Sequence, residues 1–317
     1  MTSPLARAGL SALDDFNYAP IGSDLNLKDG GGSFGFTGPW SGQTSYNIGN
    51  GSLLPTRDPL PPVGNSVTAV AFGDNRGIDR TLSASLGTEG TSAYVSILIQ
   101  PQGILHQGAH NGWFALALRG STDVFAGMSS FGETYSLEVG FEKSSTITNA
   151  VIGSTVFIVL RIDFTEGVDP VYMYLNPQPG APEPAAPSAS LINLNVNFIT
   201  HVSLTGPGGS GFDALRIGTS FADVAPATSD FNMDSRVDAA DLTSWRGGFG
   251  ATGAATTMQG DANFDGDADG ADFLSWQRQH GFPLPSAGAA APEPKSLSLI
   301  SLIVVGMASI AGRRTRA

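Results

Sequence analysis

Asp230, Asn232, Asp234, Asp238 and Asp241 recur 31 residues further along the chain as Asp261, Asn263, Asp265, Asp269 and Asp272. Trp245 recurs as Trp276 and Gly250 as Gly281. Oxygen-bearing side chains at alternate positions of a short wound loop suit one kind of ligand. Ca2+ is a hard cation that takes six to eight oxygens at about 2.4 Å. On this pattern the first, third and fifth positions point inward, namely Asp230, Asn232 and Asp234 in one loop and Asp261, Asn263 and Asp265 in the other. The seventh position supplies a backbone carbonyl, so Arg236 and Asp267 need no particular side chain there. Asp238 and Asp269 bind directly or through water, and Asp241 and Asp272 complete each shell from the first turn of a following helix. The expectation is two bound ions, one per loop.

The two loops are unequal. The sixth position turns sharply; Gly266 suits it, whereas Ser235 at positive φ costs about 1 kcal/mol. The first loop is therefore expected to be the weaker. After each loop an apolar stripe follows, Leu242, Trp245 and Phe249 in one and Phe273, Trp276 and His280 in the other, so two short helices can pack together. Residues 221–229 and 247–259 are rich in Gly, Ala, Thr and Pro, so no helix is expected to enter either loop. Two tandem loops without entering helices and with Asp at the twelfth position resemble type I dockerins, over residues 228–282. The resemblance implies docking to a cohesin-like or other surface protein. The positions before the twelfth are Ala239, Ala240, Gly270 and Ala271, which lack the hydroxyl pairs typical of cellulosomal members.

The chain carries a net charge of -12, and nine of its 28 acidic residues lie between Asp230 and Asp272. Such a balance excludes a nucleic-acid binder, which needs Lys and Arg clusters. With no cysteine, disulfides, thiolate metal sites and thiol nucleophiles are excluded as well.

Residues 14–224 read as strands. Thr91–Gln100, Trp113–Leu118, Tyr135–Phe141, Val156–Phe164 and Val171–Leu175 are β-branched and aromatic runs separated by Gly, Pro, Asn and Ser. Leu137, Val139 and Phe141 are expected on one face of a strand, with Glu138, Gly140 and Glu142 on the other. About a dozen such strands predict a mainly β fold, an antiparallel two-sheet sandwich. Gly30 to Trp40 at one end and Phe212 to Ser220 at the other resemble segments of concanavalin A-like (LamG-type) jelly rolls. That resemblance implies a scaffold often used to bind polysaccharide or other glycans. Laminarinase-like glycosidases share it, and Glu138 and Glu142 are the candidate acid and nucleophile for that alternative, although Gly140 stands where such enzymes hold an aspartate. A purely structural matrix role is the third alternative. Trp40 and Trp113 are candidates for stacking on a sugar ring or for core packing. His106, His110 and His201 show no supported metal spacing.

The end of the chain has its own order of parts. Pro292, Glu293 and Pro294 precede an apolar run from Leu297 to Ala311, and Arg313, Arg314 and Arg316 follow. This resembles the PEP-CTERM sorting signal of Gram-negative bacteria. It implies export, transient membrane anchoring through 297–311, and removal of 292–317 by an exosortase-type enzyme at the cell surface or extracellular matrix. Residues 1–13 hold no basic-then-apolar leader, so the start at Met1 is expected to lie downstream of the true one. Residues 283–291 read as a linker. The sequence thus predicts an exported, non-catalytic protein: a glycan- or partner-binding jelly roll, a small α-helical calcium module, and a removable apolar helix.

Overall fold

The computed structural model describes residues 9–53, 64–70, 77–102, 113–128, 134–206, 209–232, 236–263 and 265–280. Residues 1–8, His106, His110, Asp234, Ser235, the linker and the sorting tail lie outside them. In chain order the strands are β1 (Leu10–Asp14), β2 (Phe36–Gly42), β3 (Tyr46–Ile48), β4 (Val67–Ala69), β5 (Gly77–Leu86), β6 (Thr91–Pro101), β7 (Phe114–Gly120) and β8 (Val124–Met128). They continue as β9 (Thr134–Val139), β10 (Glu142–Asn149), β11 (Val156–Phe164), β12 (Val171–Leu175), β13 (Ala189–Leu191), β14 (Ile199–Thr205) and β15 (Ser210–Gly218). Helices α1 (Phe221–Val224), α2 (Ala239–Gly248) and α3 (Gly270–Gln279) follow, with a 3-10 turn at Thr257–Gln259.

Two antiparallel sheets form a sandwich. One runs β13-β12-β11-β6-β15-β4-β3, with β1 added on β15; the other runs β10-β9-β8-β7-β14-β5-β2. Between them pack Val95, Ile97 and Ile99 of β6, Leu116 and Leu118 of β7, and Tyr135, Leu137 and Val139 of β9. Alternation explains the second sheet: Ala115 and Ala117 of β7 face away from that core. The first sheet does not alternate, because its outer face is covered too. Tyr94 and Leu98 of β6, Phe157 and Val159 of β11 and Tyr174 of β12 form an outer layer with Phe221 and Val224 of α1. Burial on both faces gives β6 and β11 the near-continuous apolar runs legible in the sequence.

Three expectations change. The sandwich begins at Leu10, not at residue 14: β1 pairs with β15, and Ala12 is in the core. Residues 10–13 are therefore structural. The strand expected to run through Phe141 ends at Val139, and Phe141 stands fully exposed in a turn. Phe221–Val224, expected as irregular, is one helical turn, capped by Ser220 and Asp223 acting on each other's backbone N–H groups.

Trp40 is core, with no exposed surface, and packs beside Phe16. A buried carboxylate holds β15 at its irregularity. Asp213 Oδ1 accepts from Ala214 N at 2.6 Å, and Oδ2 accepts from Leu53 N at 2.7 Å and from the Ser52 hydroxyl. Burial pushes the Asp213 carboxyl up to about 7, against the pull of these donors. Its native pKa then exceeds the unfolded value of 3.8. Between those limits the native state binds more protons, so stability falls as pH rises. Urea melts at pH 4.5 and 7.5 should show that fall, and Asp213→Asn should flatten it; a fall unchanged in the variant would assign it elsewhere.

Candidate functional sites

The repeat in sequence is a repeat in space. Asp238 caps α2 and Asp269 caps α3, accepting from Ala240 N at 2.8 Å and Ala271 N at 2.7 Å. Trp245 Nε1 donates to the Asp269 carbonyl and Trp276 Nε1 to the Asp238 carbonyl, both at 2.9 Å. Each tryptophan therefore holds the ninth position of the other loop. Trp245 and Phe273 lie 5.0 Å apart, and Phe273 and Trp276 5.6 Å, so the two stripes pack as expected. Phe249, beyond the end of α2, packs on Trp245 with ring centres 4.9 Å apart while staying more than half exposed. Gln279 closes the module: its Oε1 accepts from Thr228 N at 2.9 Å and Ser229 N at 3.0 Å, joining last helix to first residues.

In the second loop Gly266 takes φ 87°, the left-handed conformation that glycine adopts without penalty. Its N–H donates to Asp261 Oδ2 at 3.0 Å, closing the turn. Asn263 Oδ1 accepts from Asp265 N at 3.0 Å and Asp265 Oδ1 from Asp267 N at 2.9 Å. Asp272 returns from α3 to the start of the loop. Its Oδ1 accepts from Ala262 N at 2.8 Å and Asn263 N at 3.1 Å, and its Oδ2 from Asp269 N at 2.7 Å. Asp241 does the same in the first loop, accepting from Asn232 N and Asp238 N. Asp241 and Asp272 are fully buried, and burial raises the Asp272 pKa against its three N–H donors.

Among the described residues no three His, Asp or Glu side chains are gathered closely enough to hold a metal ion. The donor set still fits calcium by chemistry. Every side-chain donor is an oxygen, and the chain path brings Asp241 and Asp272 back to their own loop starts.

The second candidate is the outer face of the sheet that carries β7, β8 and β9. Lys143, Glu138, Phe125, Ala117, Ser203 and Asp79 lie across it in one row, each opposite the next. A shallow depression there has a buried floor of Ala115, Gly127 and Ser136 and a half-buried rim of Trp113, Phe125 and Glu138. Trp113 and Phe125 are 6.1 Å apart, and Arg119 lies over the Phe125 ring at 5.0 Å while pairing with Asp123 at 2.6 Å. His201, beside Arg119 on β14, meets the Thr200 hydroxyl.

Glu138 and Glu142 do not share a face. Gly140, at φ 59°, turns the chain between β9 and β10. Glu138 sits opposite Lys143 on the outer face, whereas Glu142 sits opposite Val139, whose side chain enters the core. The same-face pair at i and i+4 supposed an extended strand through Gly140, and the positive φ at that glycine removes it.

No protein-family model matches the chain, and no curated protein matches it. In fold it is similar to an endo-1,3-β-glucanase from Streptomyces sioyaensis, at 10% identity and TM-score 0.42, covering 68% of this chain and 98% of that one. It is similar to an endo-β-1,4-glucuronan lyase from Trichoderma reesei, at 11% identity and TM-score 0.34, covering 69% and 94%. The carbohydrate recognition domain of Emp46p is similar at 10% identity and TM-score 0.36, covering 63% and 97%.

Sequence reasoning missed one cluster. Arg80 of β5 is buried against Asp14 at 2.5 Å, and its side chain reaches Tyr18, Ser33 and Asp29 as well. These partners are separated by up to 66 positions, so no local pattern announces them.

Proposed function

We propose that this is an exported, non-catalytic binding protein: a sandwich that takes up a glycan, followed by a module that folds around two calcium ions and docks to another surface protein. The observation that carries the glycan reading is the rim of Trp113 and Phe125 above a floor of small residues. An aromatic face beside a flat floor suits the apolar face of a sugar ring, and Glu138, which accepts from the Ser136 hydroxyl, stands at its rim as a further acceptor for ring hydroxyls. Calcium would be held by Asp230, Asn232, Asp234, Arg236, Asp238 and Asp241, and by Asp261, Asn263, Asp265, Asp267, Asp269 and Asp272, the carbonyl serving at Arg236 and Asp267. Export and removal of 292–317 belong to the same reading and follow from the tail's resemblance alone.

A glycan array identifies the ligand, and Trp113→Ala should then weaken its binding about tenfold, equivalent to about 1.4 kcal/mol. Unchanged affinity would remove the sheet face as the site. The catalytic alternative has its own signature: turnover of the bound polysaccharide that disappears in Glu138→Gln would replace this reading.

A further inference from the structure

At one end of the sandwich the sheets part around a cleft of about 250 Å³. Two strand irregularities face each other across it. On β1, Leu10 pairs with Gly218 and Ala12 with Ile217, leaving Ser11 as an extra residue. On β5, Thr81 pairs with His201 and Leu86 with Ile199, so of the four residues between them Leu82 turns into the core while Ser83, Ala84 and Ser85 are exposed in a bulge of the ladder with β14. Bulges re-aim side chains and cluster at functional rims. Gly35 joins the two. Its carbonyl accepts from Ser83 N at 3.0 Å, and a Cβ there, besides the strain of φ 81°, would fall 2.2 Å from the Ser11 carbonyl oxygen.

The lining has two characters. Its floor is the end of the core, with Leu82, Phe164 and Ile217. Its rim carries the hydroxyls of Ser11, Ser83, Ser85 and Thr88, for which no hydrogen-bond partner exists among the described residues. Among the described residues no ionisable side chain lines it. Charge-free walls give no return for desolvating a charged ligand, whereas four unengaged hydroxyls and an apolar floor suit an uncharged polyhydroxylated one.

We propose that this cleft binds one neutral sugar residue, its ring on Leu82, Phe164 and Ile217 and its hydroxyls on Ser11, Ser83, Ser85 and Thr88. The proposal rests on the glycan reading above and adds a second site, distinct from the Trp113 face, for a single residue such as a chain end.

Saturation-transfer NMR on the full chain with glucose, galactose, mannose and xylose, and with glucuronate and galacturonate as charged counterparts, tests it. At least one neutral sugar should bind, with the uronates weaker. Ser85→Trp, which fills the cleft from an exposed bulge, should abolish the signal. The Ser83→Ala/Ser85→Ala double variant, which adds no bulk, should weaken binding at least fivefold, while Trp113→Ala leaves it unchanged. Equal binding of uronates, or binding that survives both serine variants, overturns the cleft. Loss in Trp113→Ala alone also overturns it but leaves the proposed function standing. Absence of binding by any of these single sugars to the unaltered chain overturns the cleft, whereas the glycan reading of the Trp113 face falls only if the glycan array is blank as well.

Discussion

Chelation of calcium with EGTA is expected to melt residues 228–280 and leave the sandwich folded. The module's own core is small: among its described residues the buried apolar side chains are Phe231, Val237, Ala262, Ala268 and Trp276. A unit of this size buries too little surface to stand on packing alone. It also confines Asp241, Asp261 and Asp272, each at most 2% exposed. Ionised carboxylates held out of water are unfavourable unless charge and hydrogen bonds compensate them. At a calcium concentration of about 100 times Kd, each ion adds about 2.7 kcal/mol. Two ions then supply an amount comparable to the whole stability of a small domain, about 5 kcal/mol at the low end. The chain has four tryptophans, which split the readout: Trp245 and Trp276 sit in the module, Trp40 and Trp113 in the sandwich. Calorimetry should show two transitions with calcium and only the sandwich transition without it. Trp245→Phe/Trp276→Phe should abolish the EGTA-dependent fluorescence change. A calorimetric trace unaffected by EGTA would rule the coupling out. Asp272→Asn isolates the second loop, since the amide keeps one acceptor oxygen for the backbone N–H groups but removes the charge; one of the two calcium-binding steps should disappear.

What the sequence showed and what it hid divide along sequence separation. Val156–Phe164 and Val171–Leu175 were legible because covered faces demand apolar, β-branched residues at successive positions, and β11 and β12 have those bounds. The 31-residue repeat was legible because its carboxylates lie within a dozen residues of one another in each copy, and it even implied the packing of α2 on α3. The reciprocal bonds from Trp245 and Trp276 needed the fold, since each partner belongs to the other copy. Alternation alone puts Glu138 and Glu142 on one face; the sign of a turn in the sequence is Gly140 itself, which takes φ 59° without the penalty a side chain would bring. Leu10–Asp14 was hidden for a different reason. A five-residue strand has weak periodicity, and its partner β15 lies two hundred positions away.

Arg80→Met should be the most damaging single change in the sandwich, costing about 3–5 kcal/mol, as removal of one member of a buried ion pair does. The Arg80 and Asp14 side chains are 2% and 1% exposed. Asp14 is the hub: Tyr18 Oη donates to its Oδ2 at 2.7 Å and Trp40 Nε1 at 2.8 Å, while Phe16 N donates to Oδ1 at 2.9 Å. Arg80 also donates from Nε to the Gly38 carbonyl at 3.2 Å, and its guanidinium lies 4.6 Å from the centre of the Phe36 ring. The arginine thus joins β1, the segment around Asp29 and Ser33, β2 and β5, and methionine replaces only its volume. For a domain of this size the loss lowers Tm by on the order of 10 °C. The pH dependence identifies the cause. Burial raises the Asp14 pKa, and the charge of Arg80 opposes that rise. Without Arg80 the native pKa climbs further above the unfolded value, so the penalty is full at neutral pH and fades as pH falls and Asp14 takes up a proton. Asp14→Asn/Arg80→Met removes both charges together and should recover a large part of the loss. A double-mutant cycle on urea midpoints at pH 7 measures the coupling. Additive single effects would show that Arg80 acts through packing alone and that its ion pair with Asp14 contributes nothing.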